Sequence, residues 1–301
     1  MDGVVAQLVE RLVRNEKVRG SIPLNSTNKP NCQLMKPLAS PLKNQWVLIT
    51  GASSGFGAAA AAAFGAAGAR LLLGARRVER LEEVALQASQ AGADQAHFHE
   101  LDVTQTKSVA KFTSWAGDLI QGPQVPHGRL KVLINNAGGA QGMDTVAGGK
   151  DQDWEIMLQT NVLGLLRMTR AVLPLLAHDA GASIINVGSY AGHTAYEGGS
   201  AYCAAKAGEL QITRTLRLEL LGTGIRVSSV DPGLAETEFS VVRFKGDEAR
   251  AKKVYEGINP LRAADVAETL LWVATRPAHV NIDEILIKPV DQASMTKINR
   301  R

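Results

Sequence analysis

The chain has 301 residues, of which 45% are hydrophobic and 21% are charged, and its formal net charge is +4. A chain of this length suits one large α/β domain or two small ones, and no linker interrupts its body, so we predict one domain there. The small positive charge is not concentrated in one stretch and aromatic residues make up only 5%, which predicts no nucleic-acid partner.

Cysteine usage and apolar runs indicate the cellular setting. Cys32 and Cys203 have neither a disulfide pattern nor metal-ligand spacing, so we expect a reducing compartment and no metal. The sequence has no run of about 18 apolar residues, which predicts no membrane span. The first residues lack the apolar region and cleavage site of a signal peptide, so we expect a cytoplasmic protein.

The first 34 residues differ in character from the body of the chain. The stretch VVAQLVERLVR has the spacing of a short amphipathic helix that would be marginal alone, and SIPLNSTNKPN is typical of coil. The stretch VAQLVERLVRNEKVRGSIPL also resembles a transfer-RNA gene translated in a false frame. We therefore expect residues 1–34 to be a non-native or disordered extension, with Met35 as the true start and residues 35–301 as a single domain.

From Gln45 onwards, apolar runs alternate with helical patterns. In chain order we predict a strand at 46–50, a helix at 56–69, strands at 69–75 and 96–101 on either side of a helix at 78–90, a strand at 131–135, a helix at 151–176, a strand at 183–188, a helix at 200–221, a strand at 225–230, a helix at 263–274 and a strand at 284–288. Repeated β-α-β units with apolar strands predict an α/β protein whose parallel sheet is covered on both faces, which is the doubly wound architecture.

A glycine-rich turn follows the first predicted strand. Its residues are Gly51, Ser53, Ser54, Gly55, Phe56 and Gly57, within TGASSGFG. Gly51 and Gly55 can adopt backbone angles closed to other residues, and Gly57 lets helix and strand approach closely. The helix that follows offers free N–H groups to a pyrophosphate, and the two serines add hydroxyl donors. The alternative is a plain strand-to-helix turn, but the position after the first strand favours dinucleotide binding.

The residues at the end of the second predicted strand indicate which dinucleotide the protein binds. A carboxylate there would bind a ribose 2′-hydroxyl and indicate NAD, but the sequence has Arg76 and Arg77. Two guanidiniums suit the 2′-phosphate of NADP, which they grip with paired hydrogen bonds. The alternative is two solvated arginines that open a charged helix, since Glu79, Glu82 and Glu83 follow. We favour NADP as the cofactor.

Several motifs agree in order and spacing with one family. They are TGASSGFG, Asp102-Val103, Asn135-Asn136-Ala137-Gly138, Asn161, Ser189, Tyr202-x-x-x-Lys206 and Asp231-Pro232-Gly233. With these motifs the sequence resembles a short-chain dehydrogenase/reductase over residues 44 to about 290. The resemblance implies an oxidoreductase with a Rossmann fold that forms a homo-oligomer, commonly a tetramer.

Tyr202 and Lys206 stand four residues apart and so face the same side of a helix. Hydride transfer to a carbonyl leaves an alkoxide that needs a proton, and a tyrosine with an ordinary pKa near 10 is a reluctant base for the reverse reaction. A cation about 4 Å away can stabilise a phenolate by up to about 4 kcal/mol. We therefore predict that Tyr202 donates and accepts the proton and that Lys206 supplies the cation.

The resemblance implies roles for further residues. Tyr202 and Lys206 also bind the cofactor, the lysine through its ribose. Ser189 hydrogen-bonds the substrate oxygen, and Asn161 holds a water relay to the lysine. Each of these four catalytic candidates has a purely structural alternative. Tyr202 could be a core tyrosine and Lys206 a surface lysine. Ser189 could cap a loop, and Asn161 could be a buried amide. It is improbable that all four residues have only structural roles and yet occur at the family spacing.

The remaining cofactor contacts come from the loops after other strands. The resemblance implies that Asp102 and Val103 bind adenine, that Asn136 and Gly138 pass close to the cofactor, and that the nicotinamide end is contacted by Pro232, Gly233, Leu234 and Thr237. Two alternatives stay open: Asp102 could cap a following helix, and Asn136 could close a turn.

The irregular segment after Pro232, to about Pro260, carries specificity and moves as a lid in this family. We call it the lid segment. Its sequence DPGLAETEFSVVRFKGDEARAKKVYEG resembles the NADP-dependent 3-hydroxy acid dehydrogenase branch. That branch oxidises serine, L-allo-threonine and 3-hydroxyisobutyrate, and it reduces malonic semialdehyde.

The implied substrate is therefore a short hydroxy acid, whose carboxylate needs a cation. Arg243 is our candidate over Lys245, although lid charges are more often solvated or at subunit contacts. His193 could form a pocket wall or be exposed.

One alternative function is a reductase of larger ketones or 3-oxoacyl thioesters. Another is a non-catalytic NADP-binding protein, which would be expected to lose Tyr202 or Lys206.

Overall fold

The computed structural model describes residues 41–122, 128–178 and 181–301. These residues belong to one compact unit that extends to Arg301. The prediction for residues 1–34 lies outside the described residues. Within the described ranges, no helix is both long enough and apolar enough to cross a membrane.

The strands form one large parallel sheet and one small one. The strands are β1 (Trp46–Thr50), β2 (Arg70–Ala75), β3 (Gln95–Glu100), β4 (Leu130–Asn135), β5 (Ser183–Val187), β6 (Arg226–Pro232), β7 (Ala235–Glu236), β8 (Leu261–Arg262) and β9 (Glu284–Ile287). The seven-stranded sheet has the order β3-β2-β1-β4-β5-β6-β9, and β7 pairs with β8 in the second sheet. The predicted doubly wound parallel sheet is confirmed.

Helices cover both faces of the large sheet. They are α1 (Gly55–Ala66), α2 (Val78–Ala91), α3 (Thr106–Ile120), α4 (Asp151–Leu158), α5 (Gly164–Val172), α6 (Ser200–Glu219), α7 (Phe239–Arg243), α8 (Glu248–Tyr255) and α9 (Ala263–Ala274). Successive strand residues point to opposite faces. Val47 and Ile49 therefore pack in one core cluster with Phe64, while Leu48 packs in the other with Phe112.

The sheet order reverses between β1 and β4, which are neighbours although β2 and β3 lie between them in sequence. Such a reversal leaves a crevice at the carboxyl ends of the strands, where α/β proteins bind their ligands. The loops after β1, β2, β3, β4 and β5 all meet there, so motifs that are far apart in the sequence become neighbours.

Three helical predictions need correction. No helix was predicted between 102 and 130, yet α3 buries Val109, Phe112, Ala116 and Ile120 against the sheet. The predicted helix 151–176 is interrupted by a π-helical turn, Gln159–Leu163, and ends in a 3₁₀ turn at Pro174, which cannot continue a helix. The lid segment, predicted as irregular, contains α7 and α8.

Candidate active site

A central cleft of about 320 Å³ opens at the carboxyl ends of β1 to β5. The predicted cofactor residues that line it are Gly51, Ser53, Ser54, Gly55, Phe56, Arg76, Arg77, Asp102, Val103, Asn136, Gly138, Tyr202, Lys206 and Thr237. Four others do not line it. Gly57 is buried beneath the turn, and Pro232, Gly233 and Leu234 line a second cavity.

The glycine turn between β1 and α1 is closely packed. Gly51 and Gly55 have φ values of +64° and +54°, which favour glycine. A Cβ on Gly57 would lie 2.5 Å from the Gly51 carbonyl oxygen and 2.6 Å from Asn136 Nδ2. Ser54 precedes α1 in an extended conformation without a side-chain cap bond. The first N–H groups of α1 are thus left for a ligand, and the turn fits a pyrophosphate.

Arg77 is tied to the glycine turn. Its Nε and Nη2 donate to Ser53 Oγ at 3.3 Å, and its Nη2 donates to Ser54 Oγ at 2.7 Å. The serine oxygens act here as acceptors, so their hydroxyl hydrogens remain to be donated, as predicted for this turn. Arg76 is exposed at the cleft and makes no ion pair within the described part of the chain. Two guanidiniums therefore stand where a 2′-phosphate is predicted.

Asp102 does not cap a helix, so that alternative was wrong. Its Oδ1 accepts from the Thr104 backbone N–H at 2.9 Å and from Thr104 Oγ1 at 2.8 Å. The N-cap residue of α3 is Gln105 instead. The carboxylate fixes a turn in the wall of the cleft, because short polar side chains readily bond to the backbone two residues on.

Asn136 joins two loops rather than closing a turn of its own. Its Nδ2 donates to the carbonyl oxygens of Thr50 and Gly51 at 2.9 and 3.1 Å. The hydroxyl of Thr50 in turn accepts from the backbone N–H groups of Asn136 and Ala137. The ends of β1 and β4 are thereby locked together at the floor of the cleft.

Asn161 lies in the π-helical turn and is 1% exposed, so it does not line the cleft. Its Nδ2 donates to Gly139 O at 2.9 Å and to Met157 O at 2.8 Å, while its Oδ1 accepts from Gly139 N–H. A Cβ on Gly138 would lie 2.6 Å from Asn161 Oδ1 and 3.6 Å from Lys206 Nζ. Asn161 therefore holds the loop beside the lysine. π-Helical turns occur often at functional sites.

Helix α6 presents Tyr202 and Lys206 at the cleft, and both are buried. Lys206 Nζ donates to Val187 O at 2.9 Å and to Glu209 Oε2 at 2.7 Å. Burial lowers the pKa of Lys206, but the surrounding negative charges, foremost Glu209, more than offset burial and leave that pKa raised. An ionised Glu209 therefore favours the cation that is predicted beside Tyr202.

Glu209 was missed by the sequence reasoning. It is 2% exposed, and burial raises its pKa although the Lys206 ammonium opposes the shift. The signal was present, because positions 202, 206 and 209 fall on one face of a helix. A glutamate on the buried side of an amphipathic helix needs a partner, and the lysine three residues earlier is the evident choice.

A second cavity of about 450 Å³, the lid cavity, lies between β6, the lid segment and the C-terminal residues. It is lined by Ser189, Tyr202, Pro232, Gly233, Leu234, Thr237 and Arg243, with apolar neighbours that include Met143, Phe239 and Met295. Ser189 Oγ accepts from Ala191 N–H at 3.1 Å. The predicted substrate residues Ser189 and Arg243 thus share a cavity with Tyr202.

Arg243 lies close to the predicted proton donor. Its guanidinium carbon is 5.4 Å from the ring centre of Tyr196 and 5.7 Å from that of Tyr202. Its Nε donates to Gly142 O at 2.8 Å. Lys245, the other lid cation considered, is instead paired with Asp153 at 2.9 Å. The lid thus brings one cation to the phenol and leaves the other in a structural ion pair.

His193 lines neither the central cleft nor the lid cavity. Its Nε2 lies 2.7 Å from Asp231 Oδ2, and Asp231 Oδ1 accepts from Ser229 Oγ. Burial raises the pKa of Asp231, and these hydrogen bonds offset part of the shift. No group of three or more potential metal ligands occurs among residues 41–122, 128–178 and 181–301.

The chain is similar to known proteins that are named as reductases or dehydrogenases. Sulfoacetaldehyde reductase 2 of Chromohalobacter salexigens is 45% identical over 82% of this chain and 95% of its own length. The NADP-dependent 3-hydroxy acid dehydrogenase of Schizosaccharomyces pombe is 41% identical over 87% of this chain and 99% of its own. A closed serine dehydrogenase structure complexed with NADP+ has 37% identity and a TM-score of 0.75, covering 85% of this chain and all of that one. The family model for short chain dehydrogenases matches residues 45–248, so the chain belongs to the short-chain dehydrogenase family.

Proposed function

We propose that the protein transfers a hydride between NADP and a short 3-hydroxy acid such as serine, L-allo-threonine or 3-hydroxyisobutyrate, and reduces malonic semialdehyde in the reverse direction. The observation that carries the proposal is the position of Tyr202. It lines both the central cleft and the lid cavity, with the Arg243 guanidinium 5.7 Å from its ring. A proton-handling phenol between a dinucleotide cleft and a cation suits an anionic alcohol.

The residues of the central cleft fit NADP. The open N-terminus of α1 suits the pyrophosphate, and Arg76 and Arg77 suit the 2′-phosphate. The similar serine dehydrogenase structure contains NADP+, and the similar S. pombe enzyme is named as NADP-dependent. When bound, NADP takes up or delivers the hydride, while the protein binds, orients and polarises.

The side chains around the substrate oxygen carry out the proton transfer. In oxidation, the Tyr202 phenolate takes the hydroxyl proton of the substrate as its carbon loses hydride, which leaves a 3-oxo acid; in reduction the phenol returns the proton. Ser189 Oγ hydrogen-bonds the same substrate oxygen from the cavity wall. The Lys206 ammonium stabilises the phenolate. Asn161 holds the Gly139 loop beside this lysine and supports a water relay to it.

A second candidate is the reduction of sulfoacetaldehyde. Two similar proteins of C. salexigens, 45% and 43% identical to this chain, are named sulfoacetaldehyde reductases. A sulfonate offers Arg243 a negative charge and oxygen acceptors, as a carboxylate does. The substrate anion is therefore the point at which the two candidates differ.

Initial rates separate the candidate functions. Serine, L-allo-threonine and 3-hydroxyisobutyrate would be oxidised with NADP and with NAD, and malonic semialdehyde, sulfoacetaldehyde and acetoacetyl-CoA reduced with NADPH. We expect the highest kcat/KM for a 3-hydroxy acid or its semialdehyde, with NADP preferred. A highest value for sulfoacetaldehyde supports the second candidate. Activity on acetoacetyl-CoA alone supports a reductase of larger ketones or 3-oxoacyl thioesters. Binding of NADPH without turnover of any substrate supports a non-catalytic protein.

We further propose that residues 35–301 act as one catalytic domain and that the protein is a cytoplasmic homo-oligomer, a tetramer by family resemblance. Light scattering of the purified protein measures the number of chains in a particle. Four chains are expected, and a monomer would contradict the assembly.

A further inference from the structure

The carboxylate of Glu238 lies between two arginines at the edge of the central cleft. Its Oε2 is 3.0 Å from Arg77 Nη1, and its Oε1 accepts a bond from Arg80 Nη1. Glu238 belongs to the lid segment and directly precedes α7, whereas the arginines belong to the β2–α2 region. This carboxylate therefore ties the start of the lid to the arginine end of the cleft.

Arg77 already has several partners in this arrangement. Its Nε and Nη2 reach Ser53 and Ser54 of the glycine turn, and its Nη1 reaches Glu238. A guanidinium has five N–H donors, so Glu238 takes up part of the capacity that a 2′-phosphate would use. The Arg80 hydrogen bond, followed by that of Arg77, lowers the pKa of Glu238 despite its partial burial. The competing group is thus an ionised carboxylate at neutral pH.

We propose that Glu238 is a cofactor-specificity residue, because its carboxylate and the 2′-phosphate of NADP compete for Arg77, while Arg80 holds the carboxylate in place. This proposal rests on the proposed use of NADP in the central cleft. A 2′-phosphate carries about −1.5 to −2 charges and is repelled by a carboxylate that is already bound to the guanidinium of Arg77. When NADP binds, its 2′-phosphate replaces the Glu238 carboxylate on the arginine. NAD has no 2′-phosphate, so its binding leaves the Glu238 contacts intact.

The test measures cofactor binding without substrate. Dissociation constants for NADPH and NADH would be determined by fluorescence titration for the wild-type protein and for Glu238→Gln, which keeps the size of the side chain and removes its charge. We expect Glu238→Gln to bind NADPH about 3- to 10-fold more tightly, in line with the loss of one partly exposed like charge. NADH binding should change by less than about twofold.

Glu236→Gln provides the matched control. Glu236 is exposed on β7 in the same lid segment, so its substitution removes the same charge away from the arginines. We expect NADPH binding within about twofold of wild type. Thermal melts of all variants would verify that they are folded.

Three outcomes overturn the proposal. Unchanged or weaker NADPH binding by Glu238→Gln would mean that the carboxylate merely holds the arginines in place. An equal gain in Glu236→Gln would indicate a general effect of charge. If wild-type protein binds NADPH and NADH equally, the cofactor assignment under the proposed function fails, and the competition fails with it.

Discussion

At the residue scale, Arg243 reaches the site from the lid segment, with its guanidinium 5.7 Å from the ring centre of Tyr202. A charge-assisted hydrogen bond contributes about 1.5–3 kcal/mol, so Arg243→Gln should raise KM for an anionic substrate about 10- to 100-fold. The KM for an uncharged carbonyl substrate should change little in the same variant. Steady-state kinetics on both substrates measure this, with Lys252→Gln on the exposed face of α8 as control. Equal losses for charged and uncharged substrates would show that Arg243 does not bind the anion.

The buried Lys206–Glu209 pair makes stability depend on pH. Burial raises the pKa of Glu209 from 4.5 to about 7. Between pH 4.5 and about 7, Glu209 keeps its proton in the folded protein, whereas the unfolded chain has released it. The free energy of unfolding therefore falls as the pH rises from 4.5 to about 7. Glu209→Gln cannot titrate there, so its stability should fall less over the same window in urea unfolding. Glu219→Gln, exposed on the same helix, should keep the wild-type slope. A wild-type slope in Glu209→Gln would refute this ionisation.

At the element scale, the turn between β1 and α1 depends on the absence of a side chain at Gly57. An added Cβ would lie 2.5 Å from a backbone oxygen, and backbone cannot yield as a flexible side chain does. We expect Gly57→Ala to destabilise the protein by about 1–3 kcal/mol and to weaken NADPH binding. In α3, an added Cβ on Gly117 meets only Leu175 Cδ2 at 3.5 Å, so Gly117→Ala should stabilise by up to about 1 kcal/mol. Urea unfolding measures both, and a neutral Gly57→Ala would contradict the close packing.

The seven strands of the large sheet were predicted, and β1, β5 and β6 are buried throughout. The two-residue strands β7 and β8 were not predicted, because two residues are too few to show an apolar pattern. Helix α3 was harder to predict. Its apolar residues Val109, Phe112, Ala116 and Ile120 have helical spacing, but threonine, serine and glycine residues between them are weak helix formers. Packing against the sheet decides its conformation. The π-helical turn at Asn161 has no sequence signal of its own, because the backbone contacts of the asparagine depend on the loop after β4.

At the scale of the whole molecule, the order of the sheet brings the glycine turn, the arginines after β2, the loop after β4 and the Tyr202–Lys206 pair into one crevice. Tyr202, Lys206 and the glycine turn could be assigned from local spacing, because each lies within a single turn or helix. The contact between Arg77 and Glu238 joins residues 161 positions apart, and no local pattern indicates it. Long-range pairs of this kind depend on how the lid segment packs and were therefore beyond the sequence reasoning.

The two cavities meet at Tyr202, and the proposed proton transfer depends most on its hydroxyl. Tyr202→Phe keeps the ring that packs 5.6 Å from Phe239 and 5.7 Å from the Arg243 guanidinium, so it removes only the hydroxyl that we propose as the proton donor. The decisive measurement is kcat of Tyr202→Phe with the best substrate, beside its dissociation constant for NADPH. We expect kcat to fall by about 10²- to 10⁴-fold, while NADPH binding stays within about threefold of wild type. Turnover at the wild-type rate with NADPH bound would contradict the account.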